Sequence, residues 1–157
     1  MRKLIIGRHG AHELNALTDD GAGQMRQLAE CVAHHIIGTT KVVVCDEMRV
    51  EESGEVLAGA LGLTTVVSNE AKAGSYDEYD DCHTAIVHSV VELGADVDTL
   101  VIVGQLPLIA KLPGDFSRYI LGVELPPFPG NDDDVYPEGC AVIIDCEAKT
   151  YELIVPT

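Results

Sequence analysis

The chain reads as a three-layer α/β/α sandwich with a mainly parallel central sheet and an antiparallel C-terminal edge. Three features point there. Short apolar runs rich in β-branched residues alternate with segments whose apolar residues recur at three-and-four spacing. The last two apolar runs are separated by four residues with no helix between them, as in a hairpin. At 157 residues and 46% hydrophobic content the chain suits one domain with a real core, 1–157, without internal repeat or dividing linker.

The first run, Lys3–Gly7, predicts a buried strand that delivers Arg8-His9-Gly10 at its C-terminal end, where α/β sheets display functional side chains. Met25, Leu28, Ala29, Val32 and Ile36 then form one stripe of a helix within residues 17–36. Thr18 suits its N-cap, Asp19 and Asp20 its positive end, His34 and His35 its negative end, and Gly38 its stop. Lys41–Cys45 predicts the second strand, with Arg49 after it and a helix from about Glu51 to Leu61. Leu63–Ser68 predicts the third, followed by an acidic loop over 69–81 and a helix from Thr84 to Leu93. Thr99–Gly104 is the clearest central strand. A helix after Pro107 is expected to break at Pro113-Gly114, with a short helix at Phe116–Leu121. After an irregular proline-containing connection over 125–139, Cys140–Cys146 and Tyr151–Val155 predict the closing hairpin.

The charge is −16, from 26 acidic and 10 basic residues. Residues 1–50 are balanced at six of each, so the whole excess lies after them. Such a balance opposes nucleic acid and anionic membrane surfaces as partners. There is no tryptophan for a stacking platform, no GxxxxGK[ST] or GxGxxG for a nucleotide, and no apolar run of membrane-spanning length. Five cysteines without a CxxC pair suit reduced thiols and a cytoplasmic location. No cofactor is expected.

Arg8-His9-Gly10 carries the most chemistry. Histidine can act as nucleophile or base, arginine offers forked donors for phosphate, and glycine lets backbone approach an anion. Arg49 holds the equivalent place after the second strand, so the fold could bring two guanidinium groups around one anion. The alternative is that both arginines pair with the abundant carboxylates and His9 merely ends a strand.

LIIGRHG, then LTDDGAGQ, VCDEMRVEESGEVLA and VIVGQLP, in that order and spacing, resemble the histidine phosphatase superfamily, particularly its short phosphohistidine-phosphatase-like branch, which shares the phosphoglycerate mutase fold. The resemblance runs from the first strand through the terminal GCAVIIDCEAKTYEL. It implies that His9 attacks a phosphoryl group and becomes phosphohistidine, which water hydrolyses, while Arg8 and Arg49 clamp the phosphate. Asn15 falls where many relatives have a phosphate-contacting asparagine. The second family histidine, in a glycine-histidine pair after the central strand, is matched here by Gly104-Gln105, and Ala11 stands where a glutamate is frequent. Glutamine can donate one hydrogen bond to a phosphoryl oxygen but carries no imidazolium charge and transfers no proton at neutral pH.

An acid from the loop after the third strand would correspond to one of Glu70, Asp77, Glu78, Asp80 or Asp81, and Glu70 lies nearest the strand end. A good leaving group such as phosphohistidine lowers the need for an acid. His12 could line the pocket and partly compensate for Gln105, or belong to an access loop. Cys82, His83 and His88 lack a zinc-ligand pattern, and Asn131–Asp134 lacks the spacing of a calcium loop, so no metal site is expected. Two functions follow: a phosphatase acting through phospho-His9 on a phosphorylated small molecule or phosphoprotein, or an inactive phosphate-binding or regulatory protein of the same fold. A third view is an acidic interaction module in which RHG is incidental. The later negative charge favours a ligand with a single phosphate over a polyphosphate.

Overall fold

The computed structural model describes residues 1–157. In chain order the elements are β1 (Lys3–Arg8), β2 (His12–Glu13), β3 (Ala16–Leu17), α1 (Asp19–Val32), β4 (Thr40–Val44), α2 (Met48–Ala60), β5 (Thr65–Val67), α3 (Tyr76–Leu93), β6 (Thr99–Gly104), α4 (Leu106–Phe116), α5 (Asp132–Val135), β7 (Ala141–Asp145) and β8 (Thr150–Ile154). Six strands form one sheet in the order β5-β4-β6-β1-β7-β8, and β2 and β3 form a separate small hairpin. The first four of that order run parallel, whereas β7 and β8 are antiparallel and close the edge. This is the expected α/β/α sandwich.

Period-two alternation explains the layers, because successive strand side chains face opposite sides of the sheet. Leu4, Ile6, Leu100, Ile102, Val142 and Ile144 meet Ile86, Val87 and Val90 of α3 and Ile109, Leu112 and Phe116 of α4 in one core. Ile5, Val42, Val44, Val101, Val103 and Ile143 meet Met25, Leu28 and Val32 of α1 and Val50, Leu57 and Ala58 of α2 in the other. Thr18 caps α1 as expected, its side chain accepting from the Gly21 N–H at 3.1 Å.

Several expectations need correction. The acidic stretch over 69–81 is not all loop: α3 starts at Tyr76. Ser75 caps it by accepting from the Glu78 N–H, and Glu78 reaches back to the Gly74 N–H at 2.7 Å, a reciprocal pair that satisfies two free donors. Pro113 does not interrupt α4. Leu108, Ile109, Leu112, Pro113 and Phe116 are all buried, and that apolar face offsets the one backbone hydrogen bond proline removes. A π-helical turn, Ser117–Leu121, follows it in place of a separate helix and ends at Gly122. Helix α2 starts at Met48, which puts Arg49 inside its first turn. Helix α1 ends at Val32; His34 and His35 lie in a 3-10 turn, with His35 Nε2 3.1 Å from Glu152 Oε1.

Candidate active site

The site lies at the C-terminal ends of adjacent parallel strands. The β1/β6 register sets Arg8 beside Gly104, so His9 and Gln105 leave the sheet together, with the His9 N–H donating to the Gly104 carbonyl at 3.1 Å. Strand β6 also marks a change in topology, since it separates β1 from β4 although α1 links those two directly. Helix α2 adds Arg49 from the next strand over. The result is a cleft of about 330 Å³ lined by Arg8, His9, His12, Arg49, Gly74–Tyr76 and Gln105–Pro107.

Backbone contacts hold the His9 loop rigidly. The Gly10 N–H donates to Ser53 Oγ at 3.0 Å, and that hydroxyl donates to the Arg49 carbonyl at 2.6 Å, which ties the loop to α2. The Ala11 N–H donates to Gln24 Oε1 at 2.7 Å, and the Thr18 hydroxyl donates to the Ala11 carbonyl at 3.0 Å, which ties it to α1. A Cβ on Gly10 would stand 2.5 Å from the Gly21 carbonyl oxygen, and one on Gly21 2.1 Å from that of Ala11. The glycine after His9 is therefore required for packing against α1.

His9 is 3% exposed. Its Nδ1 lies 2.9 Å from the Gly10 carbonyl oxygen, an acceptor only, so the neutral ring carries its proton on Nδ1 and leaves a lone pair on Nε2. Burial lowers its pKa to about 4, with the positive charge of Arg49 and Arg8 and the nearby His12 adding to the shift. At neutral pH the ring is uncharged.

Neither Arg8 nor Arg49 takes part in an ion pair, despite 26 carboxylates in the chain. Arg8 Nη1 donates to the Tyr136 carbonyl, and Arg49 Nη1 donates to Asn15 Oδ1 at 3.3 Å. The Nε atom of each is buried without any acceptor. Guanidinium groups free of carboxylates, beside a neutral imidazole, have the chemistry to receive an anion that supplies oxygen acceptors. Gln105 is the N-cap residue of α4, yet its side chain makes no capping bond and lines the cleft.

Of the other residues singled out, Asn15 holds Arg49 from the exposed turn of the β2-β3 hairpin. Glu70 is exposed on the turn after β5 and does not line the cleft. His12 does line it, at a side-chain exposure of 30%, and its Nδ1 lies 2.9 Å from Glu138 Oε2. Its ring meets that of His9 edge to face, centroids 4.9 Å apart. His9, His12 and Glu138 are the one group of three histidine, cysteine or acidic side chains placed to share a metal ion; Cys82, His83 and His88 form none.

Sequence reasoning missed Glu138 and Tyr76. Tyr76 donates its hydroxyl to Asp132 Oδ2 at 2.9 Å, joining α3 to α5 at the cleft rim, and burial and that carboxylate push its pKa up to about 12. The Ser75-to-Glu78 cap signature could have located Tyr76; nothing local marks Glu138, whose turn is brought back by the Gly139 N–H donating to the His9 carbonyl at 3.0 Å.

No protein-family model and no curated protein matches the sequence. Solved structures do match it. The protein histidine phosphatase SixA complexed with tungstate is 19% identical over 98% of this chain and 94% of its own, at a TM-score of 0.62. A mycobacterial glucosyl-3-phosphoglycerate phosphatase in complex with VO3 is 17% identical over 99% and 98%, at 0.63. With the strand order, the antiparallel edge and the placement of the cleft, these likenesses along the full chain show that the protein has the histidine phosphatase fold.

Proposed function

We propose that the chain is a phosphatase that passes the phosphoryl group of a phosphomonoester or phosphohistidine onto His9. The observation that carries the proposal is that His9, with a lone pair left on Nε2, lines one cleft with Arg8 and Arg49, neither of which is paired with a carboxylate. Both similar structures described above hold an oxyanion, which suits the same reading.

In the first step the Nε2 lone pair forms a bond to phosphorus as the bond to the leaving oxygen or nitrogen breaks. Arg8, Arg49 and the Gln105 amide hold the equatorial oxygens, and Asn15 orients Arg49. The leaving group takes a proton. Glu70 stands outside the cleft, so the donor we assign is His12, whose proton-bearing Nδ1 is anchored on Glu138 and whose Nε2 is free to hold and release a second proton. Water then attacks phosphorus and passes a proton to His12, the P–N bond breaks, and His9 returns neutral with inorganic phosphate. No cofactor enters these steps. Five unpaired cysteines suit work in the reducing cytoplasm.

Acid-quenched protein is avoided, because phosphohistidine is acid-labile; neutral denaturation followed by mass spectrometry after exposure to phosphoramidate tests the proposal. A phosphate adduct on His9 is expected, and its absence with orthovanadate binding intact overturns the catalytic reading. Gln105 favours a second reading, a non-catalytic phosphate-binding protein. Under it, orthovanadate binds, no adduct forms, and Gln105→His confers turnover.

A further inference from the structure

We propose that His9, His12 and Glu138 form a binding site for a divalent transition-metal ion of the zinc class, and that occupancy silences the nucleophile. The donor atoms of the three side chains lie within 4.8 Å of one another. His12 Nδ1 is 2.9 Å and His9 Nδ1 3.7 Å from the same oxygen, Glu138 Oε2. Zinc bound to imidazole nitrogen and carboxylate oxygen at about 2.0–2.2 Å in tetrahedral geometry sets its donors roughly 3.3–3.5 Å apart. The two separations to Glu138 bracket that range, and the three donors lie within 4.8 Å of one another, so rotation of partly exposed His12 and Glu138 completes the site.

Two nitrogens and one carboxylate select zinc, cobalt or nickel over magnesium and calcium, which prefer oxygen donors alone. The supporting frame is already present: the Gly139 N–H holds the Glu138 turn to the backbone of buried His9. Three protein donors leave a fourth position for water.

The protons balance without any co-reactant. In the metal-free site both Nδ1 atoms carry hydrogen, one facing the Gly10 carbonyl and one Glu138. On binding, each Nδ1 gives its proton to solvent and bonds to the metal, and each Nε2 takes one up. His9 Nε2 then has no lone pair for phosphorus. The binding itself stands on geometry; its effect on turnover rests on the phosphatase proposal.

Cobalt(II) is titrated into the full chain after treatment with a chelator, following visible d–d absorption, with zinc competition by calorimetry. One ion per chain is expected, displaced by zinc and unaffected by millimolar magnesium. Glu138→Gln and His12→Ala should each weaken it at least about ten-fold, since loss of a mere supporting contact to a ligand already costs that much. His83→Ala should leave it unchanged. Absent absorption, or affinity unchanged in both Glu138→Gln and His12→Ala, overturns the site. Cobalt binding without any phospho-His9 defeats the phosphatase proposal alone, and phospho-His9 formed with no cobalt binding defeats this one alone.

Discussion

Gly10 and Gly21 touch through their backbones: a Cβ on Gly10 would lie 2.5 Å from the Gly21 carbonyl oxygen. The loop that presents His9 is thus pressed against the first turn of α1, and the two glycines set the distance.

Gly21→Ala tests that contact against helix propensity. Alanine in a helix gains about 1 kcal/mol over glycine, but here its Cβ would stand 2.1 Å from the Ala11 carbonyl oxygen, a backbone atom with nowhere to retreat. A net loss of about 1–3 kcal/mol in urea unfolding is expected, the usual cost of overpacking. Gly23→Ala in the same helix meets nothing within 4 Å and should be stabilising by about 0.5–1 kcal/mol. Equal effects of the two substitutions would contradict the contact.

Arg49 has no carboxylate partner, so its loss should weaken oxyanion binding without costing stability. Arg49→Gln is expected to reduce orthovanadate affinity about ten- to hundred-fold, the equivalent of a charged hydrogen bond at about 1.5–3 kcal/mol. Arg49→Lys should recover little, because one ammonium does not reproduce the planar fork. Calorimetry for binding and thermal melts for stability separate the two effects.

The lowered pKa of His9 sets two pH dependences of the same sign. The neutral nucleophile persists down to about pH 4, so with a phosphoryl donor whose leaving group needs no proton from His12, and where substrate ionisation is constant, phosphorylation of His9 should stay level from pH 8 to about pH 5, then fall. For stability, the unfolded ring protonates near its ordinary 6.5 while the folded ring resists. Stability is therefore fully present above about pH 6.5 and declines as pH falls towards 4, by up to about 3 kcal/mol from this group. His9→Gln should remove that part of the slope in urea titrations between pH 7 and 4.

Proton donation distinguishes His12 from Glu70. With a poor leaving group such as an alkyl phosphate, His12→Ala should lower turnover about 10²-fold or more, while Glu70→Gln, on an exposed turn, should match the parent. With a phosphohistidine peptide the His12→Ala loss should shrink, since imidazole leaves readily. A larger loss in Glu70→Gln would move the acid to that loop.

Local pattern was enough for the sheet and for half of the cleft. Apolar runs ending in Arg8-His9, in Cys45 ahead of Arg49, and in Gly104-Gln105 all report the same fact, that parallel strands deliver their next residues to one edge. Proline and acidity misled, each for a physical reason. Pro113 continues a helix because its apolar face is buried, and Asp77 and Glu78 read as loop although carboxylates at a helix N-terminus are favourable. Glu138 was invisible because it reaches His9 and His12 through a turn about 130 residues away in sequence, a separation no spacing rule spans.

The central position of β1 has a consequence for how the protein is made. Lys3 pairs with Thr99 on one side and with Asp145 on the other. During synthesis the strand carrying Arg8 emerges before both of its flanking partners, the second of which arrives only with β7. A nascent chain ending before that strand leaves one side of β1 unpaired, an edge open to pairing with other chains. His9 is made well before β6 and β7, the strands that complete its surroundings.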